Sequence, residues 1–466
     1  GFDYKFMCDR ASENECFDEF CEIGFNKGVK SKRDEKSIKI ASGTHDLVYL
    51  KMDGIIQVDL YNYFRREVNL GSYKLQDVAS HFIGDMVSEV HYNGEYTVIK
   101  SRNLMGLQEE NYVIFQIIGH SVDDYEKGRK FQVTYLDEKN GEIWVKEEIK
   151  MPAKGKLRWG LGKDDVSPQD LFRLTNGSPD DRAIIAKYCF QDCNLVHHLL
   201  RKNDVLTGMS EIASICSVPI DFIVMRGQGI KLLSFIAKKC RENNTLMPVI
   251  EKAVNDGSYE GAIVLPPKTG FYTDIPVAVV DYASLYPSSM ISENISHDSK
   301  VWTKEYDLQG VLQNETGETN EEGNYIYDNL PEYQYVDVEY DMYEYIRKDG
   351  KKKEEKVLVG KKVCRFAQFP DGGKALMPAI LTELLKARKD TRKIIKYKTL
   401  HLKDGNEHSG LISDCGEEYE IINKSESLKI KKSDVESISD TYNDFMKNVF
   451  NQRQLGYKVT ANSLYG

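Results

Sequence analysis

No stretch of this sequence is long and apolar enough to span a bilayer. Its longest hydrophobic runs, such as Val277-Ala278-Val279-Val280, fall far short of the ~20 residues that crossing requires. The amino-terminal residues contain no basic-then-apolar segment of the signal-peptide kind, so an intracellular protein with no membrane partner is expected. The nine cysteines are odd in number and form no CxxC pair, which argues against a structural zinc site and reads as reduced thiols. No internal repeat is visible. Net basic charge is also lacking: the formal net charge is −10 and the pI near 5.6, which excludes nucleic-acid binding through the average field but not through a locally basic groove. The chain starts at Gly1 and stops at Gly466 within a helical pattern, which suggests an internal piece of a longer protein.

What is present is ample core material. A length of 466 residues gives a prior of roughly three domains, and 41% hydrophobic against 29% charged residues, with a mean hydropathy of −0.49, describes a folded protein. Residues 1–84 mix helical and strand patterns and end in a core helix on which Leu75, Val78, Ala79 and Phe82 share a face. Alternation with an Asn140-Gly141 turn signals a β-rich insertion over about 85–158. Helical periodicity returns over 180–202 and 227–241, with loop signals at Gly208 and Pro219. The β-branched run 276–280 reads as a strand buried on both faces. Residues 305–360 read as an inserted hairpin region with a mobile loop at 314–324. Two further helices, 379–400 and 440–465, flank strand-like alternation over 405–434.

Four segments could carry chemistry. Asp281 follows the apolar run, where a carboxylate needs a cation or a donor, and Ser284 to Tyr286 lie in a turn set by Pro287, where backbone N–H groups could meet a phosphate. A helix-capping Asp is the plain alternative. Arg388, Arg392 and Lys396 recur every four residues, which stacks them on one helical face as phosphate donors or simply as a solvated face. Lys458, Asn462 and Tyr465 form a stripe suited to a phosphate, a sugar and a base, or a polar surface. Tyr188 and Asp192, four apart, share a helical face, a common pairing on ordinary helices.

Taken together, Asp281-Tyr282-Ala283-Ser284-Leu285-Tyr286-Pro287-Ser288 (DxxSLYPS), the basic segment 384–398 and Lys458 to Gly466 (KxxxNSxYG) resemble, in order and spacing, the replicative family B DNA polymerases. Gly1-Phe2-Asp3-Tyr4 looks like the end of the second motif of that family's 3′→5′ exonuclease, and Tyr188 with Asp192 like the third. Tyr259-Glu260-Gly261-Ala262 is similar to the element between the two parts. Arg226 to Lys231 resembles polymerase delta, and residues 159–170 look most like polymerases of nucleocytoplasmic large DNA viruses.

The resemblance implies an α+β multidomain protein. Residues 1–205 would form a partial ribonuclease H-like exonuclease domain, 206–258 a helical linker, 259–377 the first palm portion with an insertion at about 305–360, and 378–466 helical fingers with a hairpin insertion at about 403–436. It implies two Mg²⁺ ions per active site, with Asp281 and the Tyr282 carbonyl as ligands for synthesis and Asp3 and Asp192 for excision. Ser284, Leu285, Arg388, Arg392 and Lys458 would hold the triphosphate. Tyr286 would lie under the sugar, and Asn462 and Tyr465 would line the base-pair pocket. Expected partners are primer–template DNA, deoxynucleoside triphosphates and a sliding clamp or other processivity factor, in the host nucleus or a cytoplasmic viral replication site. The family's motif C, thumb and first exonuclease motif would lie outside the sequence, leaving it with little activity by itself. The rival reading is a non-catalytic DNA-binding scaffold descended from a polymerase.

Overall fold

The computed structural model describes residues 2–40, 43–162, 168–247, 264–346, 355–424 and 426–465. The element at 259–262 and Gly466 lie outside them. The chain divides into two compact units, Gly1–Ser210 with Pro219–Arg226, and Glu211–Val218 with Gly227–Gly466.

The first unit opens with α1 (Phe2–Glu13), the short α2 (Phe17–Phe20), a hairpin of β1 (Lys32–Ile40) and β2 (Gly43–Lys51), α3 (Leu60–Glu67) and α4 (Leu75–Phe82). The core helix is where the periodicity puts it, with Val78 and Ala79 buried. Seven strands follow: β3 (Gly84–Tyr92), β4 (Thr97–Ser101), β5 (Tyr112–Ile118), β6 (Val122–Asp124), β7 (Lys130–Asp137), β8 (Glu142–Val145) and β9 (Lys156–Leu161). Antiparallel pairing runs β5-β7-β8-β4-β3-β9 and returns from β9 to β5, so six of them close on themselves, with β6 attached outside. Closure leaves those six no free edge. Phe115, Phe131, Ile143, Leu157 and Trp159 fill the interior, and the Trp159 indole N–H donates to Ser101 Oγ at 2.9 Å.

Next come α5 (Pro168–Thr175), α6 (Pro179–Lys202), α7 (Val205–Cys216) and α8 (Ile220–Met225). A reciprocal cap starts α6: Ser178 Oγ accepts from the Asp181 N–H, and Asp181 Oδ2 accepts from the Ser178 N–H at 2.8 Å. The Ser178 N–H and hydroxyl, both donating to Asp181 Oδ2, hold that carboxyl below its ordinary pKa. The loop expected at Gly208 is absent, because Gly208 continues α7. An interior glycine costs a helix only about 1 kcal/mol, and burial of Val205 and Met209 anchors the turn on both sides.

The second unit contains α9 (Gln228–Glu242), α10 (Leu285–Ser292), four strands β10 (Lys300–Asp307), β11 (Leu312–Gly317), β12 (Gln334–Ile346) and β13 (Glu355–Gln368), then α11 (Leu376–Ile394). Five more strands, β14 (Lys398–Leu402), β15 (Glu407–Cys415), β16 (Glu418–Asn423), β17 (Glu426–Lys431) and β18 (Val435–Asp440), precede α12 (Asp444–Ser463). The first sheet is ordered β11-β10-β13-β12 and the second β17-β16-β15-β14-β18.

Three expectations change here. Residues 276–280 form no strand, and Val279 and Val280 are 92% and 91% exposed. A β-branched run becomes a strand only where a neighbour supplies ladder partners, and none does among the described residues. The segment 314–324 is not loop throughout: 314–317 continue β11, and a turn follows in which the Asn320 side chain accepts from the backbone N–H groups of Glu322 and Asn324. The helix expected to reach Leu400 stops at Ile394, because Leu400 is fully buried with Ile421 and Ile430 in the second sheet, a tertiary gain that outweighs helix propensity.

The loop after α10 sets where α11 begins. Asn294 is fully buried in the left-handed region (φ 51°), which Asn tolerates better than most residues. Its amide donates to the Ala367 carbonyl and accepts from the Ala375 N–H, both at 2.8 Å. Asp298 Oδ2 and Ser296 Oγ accept from the next N–H groups, Leu376 and Met377, so the first turn of α11 is capped from this loop. Asn294→Ala would leave a buried donor and a buried acceptor unpaired in a conformation alanine resists. A loss of about 3 kcal/mol in unfolding free energy is expected by denaturant titration, and a change below about 1 kcal/mol would show that the loop does not seat the helix.

Candidate functional site

Ser284 precedes α10 in a left-handed conformation, φ 58° and ψ 58°, that costs a non-glycine residue roughly 1–2 kcal/mol. Pro287 sits buried in the first turn, where its missing N–H is not needed. The Leu285 and Tyr286 N–H groups open the helix with no side-chain cap from Ser284, an arrangement that favours an anion. The turn foreseen from Pro287 is thus the start of a helix.

Helices α11 and α12 run antiparallel. Arg388 meets Gln454, and four residues earlier Leu384 packs with Ala461, seven residues later on the partner helix. Phe235, Ile380 and Leu381 complete that apolar cluster, with Met290 and Ile291 of α10 against it. A Cβ on Gly456 would stand 2.8 Å from Ile215 Cδ1, so α12 packs closely on the side chains of residues 212–215. The bidentate pair of Arg453 with Glu211, at 2.7 and 3.1 Å, ties the same two segments.

Between α10, α11 and α12 lies a cavity of about 260 Å³. Five residues singled out from the sequence line it: Ser284, Arg388, Lys458, Asn462 and Tyr465. Pro287, Leu384, Leu385, Tyr457 and Ala461 supply the remaining wall, and no carboxylate is part of it among the described residues. Tyr286 joins through its ring, stacked on Tyr465 at 5.3 Å between centroids and 15° between planes, while the Tyr465 hydroxyl donates to Asn462 Oδ1 at 2.9 Å. Burial, with Tyr286 alongside, raises the Tyr465 phenol above its ordinary pKa.

The remaining candidates stand apart. Arg392 is exposed and outside the cavity, and Lys396 falls beyond the end of α11, so the expected basic stripe contributes only Arg388. Leu285, Asp281 and Tyr282 are exposed and outside it too. In the first unit, Tyr188 and Asp192 border a narrow crevice with Gln76 and Leu161. Asp3 lines a separate cavity of about 690 Å³ that reaches Val196 and Leu199, one and two turns beyond Asp192 on α6. Asp3 and the Tyr188–Asp192 pair thus line different cavities of the first unit.

No group of three His, Cys, Asp or Glu side chains converges among the described residues. Asp281 and the Tyr282 carbonyl are hard oxygen donors, right in kind for Mg²⁺, which is commonly held by one or two carboxylates plus substrate phosphates. Gln454, buried beside Arg388, was missed from the sequence, although it begins the four-residue series that continues at Lys458 and Asn462.

A family model described as DNA polymerase family B matches residues 218–405, and one described as DNA polymerase family B, exonuclease domain, matches residues 1–78. The DNA polymerase of Phaeocystis pouchetii virus is 46% identical over all of this chain, which covers 42% of that protein. The DNA polymerase of Pyramimonas orientalis virus is 39% identical, again over the whole chain and 35% of its own length. The DNA polymerase delta catalytic subunit of Candida albicans is 23% identical over the whole chain and 29% of its own length. This chain thus spans less than half of each. The matches run through both units and, in the whole-chain relatives, through the residues that line the cavity. The chain belongs to the family B DNA polymerases, with exonuclease-domain sequence ahead of polymerase-domain sequence.

Proposed function

We propose that this chain supplies the nucleotide-binding and part of the proofreading machinery of a polymerase that performs template-directed DNA synthesis, with 3′→5′ excision of mispaired ends. The observation that carries this reading is the cavity of the second unit, where Arg388 and Lys458 stand without a carboxylate beside Asn462, the Tyr286–Tyr465 stack and the start of α10. Two cations and a helix N-terminus suit the triphosphate. The stacked rings and the amide suit a sugar and a base pair read by shape, as copying any sequence requires.

Mg²⁺ would be held by the Asp281 carboxylate and the Tyr282 carbonyl for synthesis, and by Asp3 and Asp192 for excision. When bound, the metal supplies charge stabilisation for in-line displacement at phosphorus. The chain's own residues bind and orient: Arg388 and Lys458 grip the phosphates, and the Tyr286 ring occupies the volume a 2′-hydroxyl would need. Tyr188 and Asp192, one turn apart on α6, face the 3′ end to be removed. The roles of 1–205 as exonuclease, 259–377 as palm and 378–466 as fingers belong to this reading. So do primer–template DNA, deoxynucleoside triphosphates and a sliding clamp as partners, and a replication site inside the host cell. The remaining length of the relatives is where the other carboxylates are expected, together with a strand partner for residues 276–280, so the 466 residues alone are expected to show little activity.

Three variants of the intact polymerase test the reading. Asp281→Ala is expected to abolish primer extension while DNA binding in a gel-shift titration is retained; extension near the wild-type rate would sink the assignment. Asp192→Ala should remove 3′→5′ degradation of single-stranded ends and spare extension, and joint loss of both activities in a folded protein would contradict two separate sites. Tyr286→Ala should raise ribonucleotide relative to deoxyribonucleotide incorporation, because the ring excludes by volume. Unchanged sugar selectivity, with activity retained, would place the gate elsewhere.

A further inference from the structure

Arg388 Nε donates to Gln454 Oε1 at 3.3 Å, and Gln454 Nε2 donates to Asn451 Oδ1 at 3.1 Å. An arginine Nε–H can only donate, so the amide atom facing it must be the carbonyl oxygen, and the sense of the amide follows from chemistry. Gln454 is 8% exposed on α12, and both ends of its side chain are engaged. It is a fixed post in the contact between α11 and α12.

Arginine carries about 2 kcal/mol of side-chain conformational entropy, part of which is lost whenever a ligand fixes it. Held at Nε, the guanidinium is pinned from behind. Its two terminal nitrogens, with four N–H donors, stay available at the cavity wall, and no carboxylate pairs with Arg388 among the described residues. The neighbouring Arg453 faces Glu211 instead, so adjacent residues of α12 serve different ends.

We infer that Gln454 is a positioning residue: it holds the Arg388 guanidinium with its terminal N–H groups presented to the triphosphate, so that the nucleotide meets an arginine already oriented. The inference rests on the reading of this cavity as the nucleotide site. Gln454 itself needs no contact with substrate, and its effect should vanish when Arg388 is gone.

The test is single-turnover incorporation of one deoxynucleotide by the intact polymerase on a primer–template, which separates nucleotide affinity from the maximal rate. Gln454→Met keeps the volume and removes the acceptor; it is expected to weaken nucleotide affinity about fivefold to tenfold, the scale of one ordinary hydrogen bond, and to leave the maximal rate within about twofold. On an Arg388→Ala background the same substitution should add nothing. Arg453→Gln, which cuts a tie on the same helix without touching Arg388, should leave affinity unchanged. Asn451→Ala, at an exposed position, frees the far end of the amide and should weaken affinity about twofold; if Gln454→Met does not fold, Asn451→Ala in the same cycle decides. The inference is overturned if Gln454→Met acts in full without Arg388, or if it weakens affinity no more than Arg453→Gln does. Unchanged affinity in Arg388→Ala itself would instead remove the nucleotide-site reading, and the inference with it.

Discussion

The site in the second unit depends on one contact, the antiparallel packing of α11 against α12 in a single register. Arg388 precedes the inserted sheet by ten residues and Lys458 follows it by eighteen. Nothing local holds them together across that insertion. The register is set by Ile380, Leu381 and Leu384 against Ala461, while Gly456 faces Ile212 and Ile215 of α7. Apolar area supplies most of the association and says little about register. The directional bond from Arg388 to Gln454 distinguishes one offset of the two helices from the next, while Arg453 to Glu211 ties α12 to α7.

α10 completes the cavity by a different device. Its entry through Ser284 in the left-handed region is unfavourable in isolation, and strain of this kind persists only where surrounding packing over-determines the backbone. That packing is present in buried Pro287 and in Met290 and Ile291 against the α11–α12 cluster. Downstream, the same segment turns at Asn294 and caps α11. One stretch of fifteen residues, 284–298, therefore contributes to the cavity wall and fixes the start of the helix that carries Arg388.

What was legible in the sequence was what repeats with a helical period. Lys458, Asn462 and Tyr465 were placed on one stripe and all three line the cavity: Lys458 and Asn462 because a helix of 20 residues keeps its phase whatever it packs against, and Tyr465, two residues past its end, with its hydroxyl bonded to Asn462. Arg392 and Lys396 failed the same test for physical reasons. Only one turn of a basic face can meet a cavity this size, and α11 ends before Lys396, where Leu400 is drawn into a sheet core. The run 276–280 has the composition of a buried strand but no hydrogen-bonding partner among the described residues, and composition cannot report who the neighbour is. Closure of the insertion through β5 and β9 was likewise invisible, since it joins strands about 40 residues apart with no turn signal between them. Asp3 and Asp192 could be named from motifs, and each lines a cavity of the first unit, Asp3 the larger one that reaches Val196 and Leu199 on α6.

The overall charge of −10 misleads for a related reason: it averages over pairs that cancel locally. Asp337 and Asp328 are taken up by Arg365, whose fork reaches both Asp337 oxygens at 2.6 Å while the guanidinium lies 4.8 Å from the Trp302 ring. That arginine holds the Asp337 carboxyl below the usual range, so the pair contributes stability above the unfolded pKa and loses it as pH falls through the lower folded value. Glu305 is matched by Lys362 and Asp414 by Lys432 in the same way. Arg388 and Lys458 stand together at the cavity, and among the described residues they have no carboxylate partner and its wall contains no acid. For a ligand within a Debye length, about 10 Å at moderate salt, that local imbalance governs and the distant, mutually compensated charges do not. An acidic chain can therefore present an anion site without contradiction, and the quantity that locates it is the cation left unpaired, not the net charge.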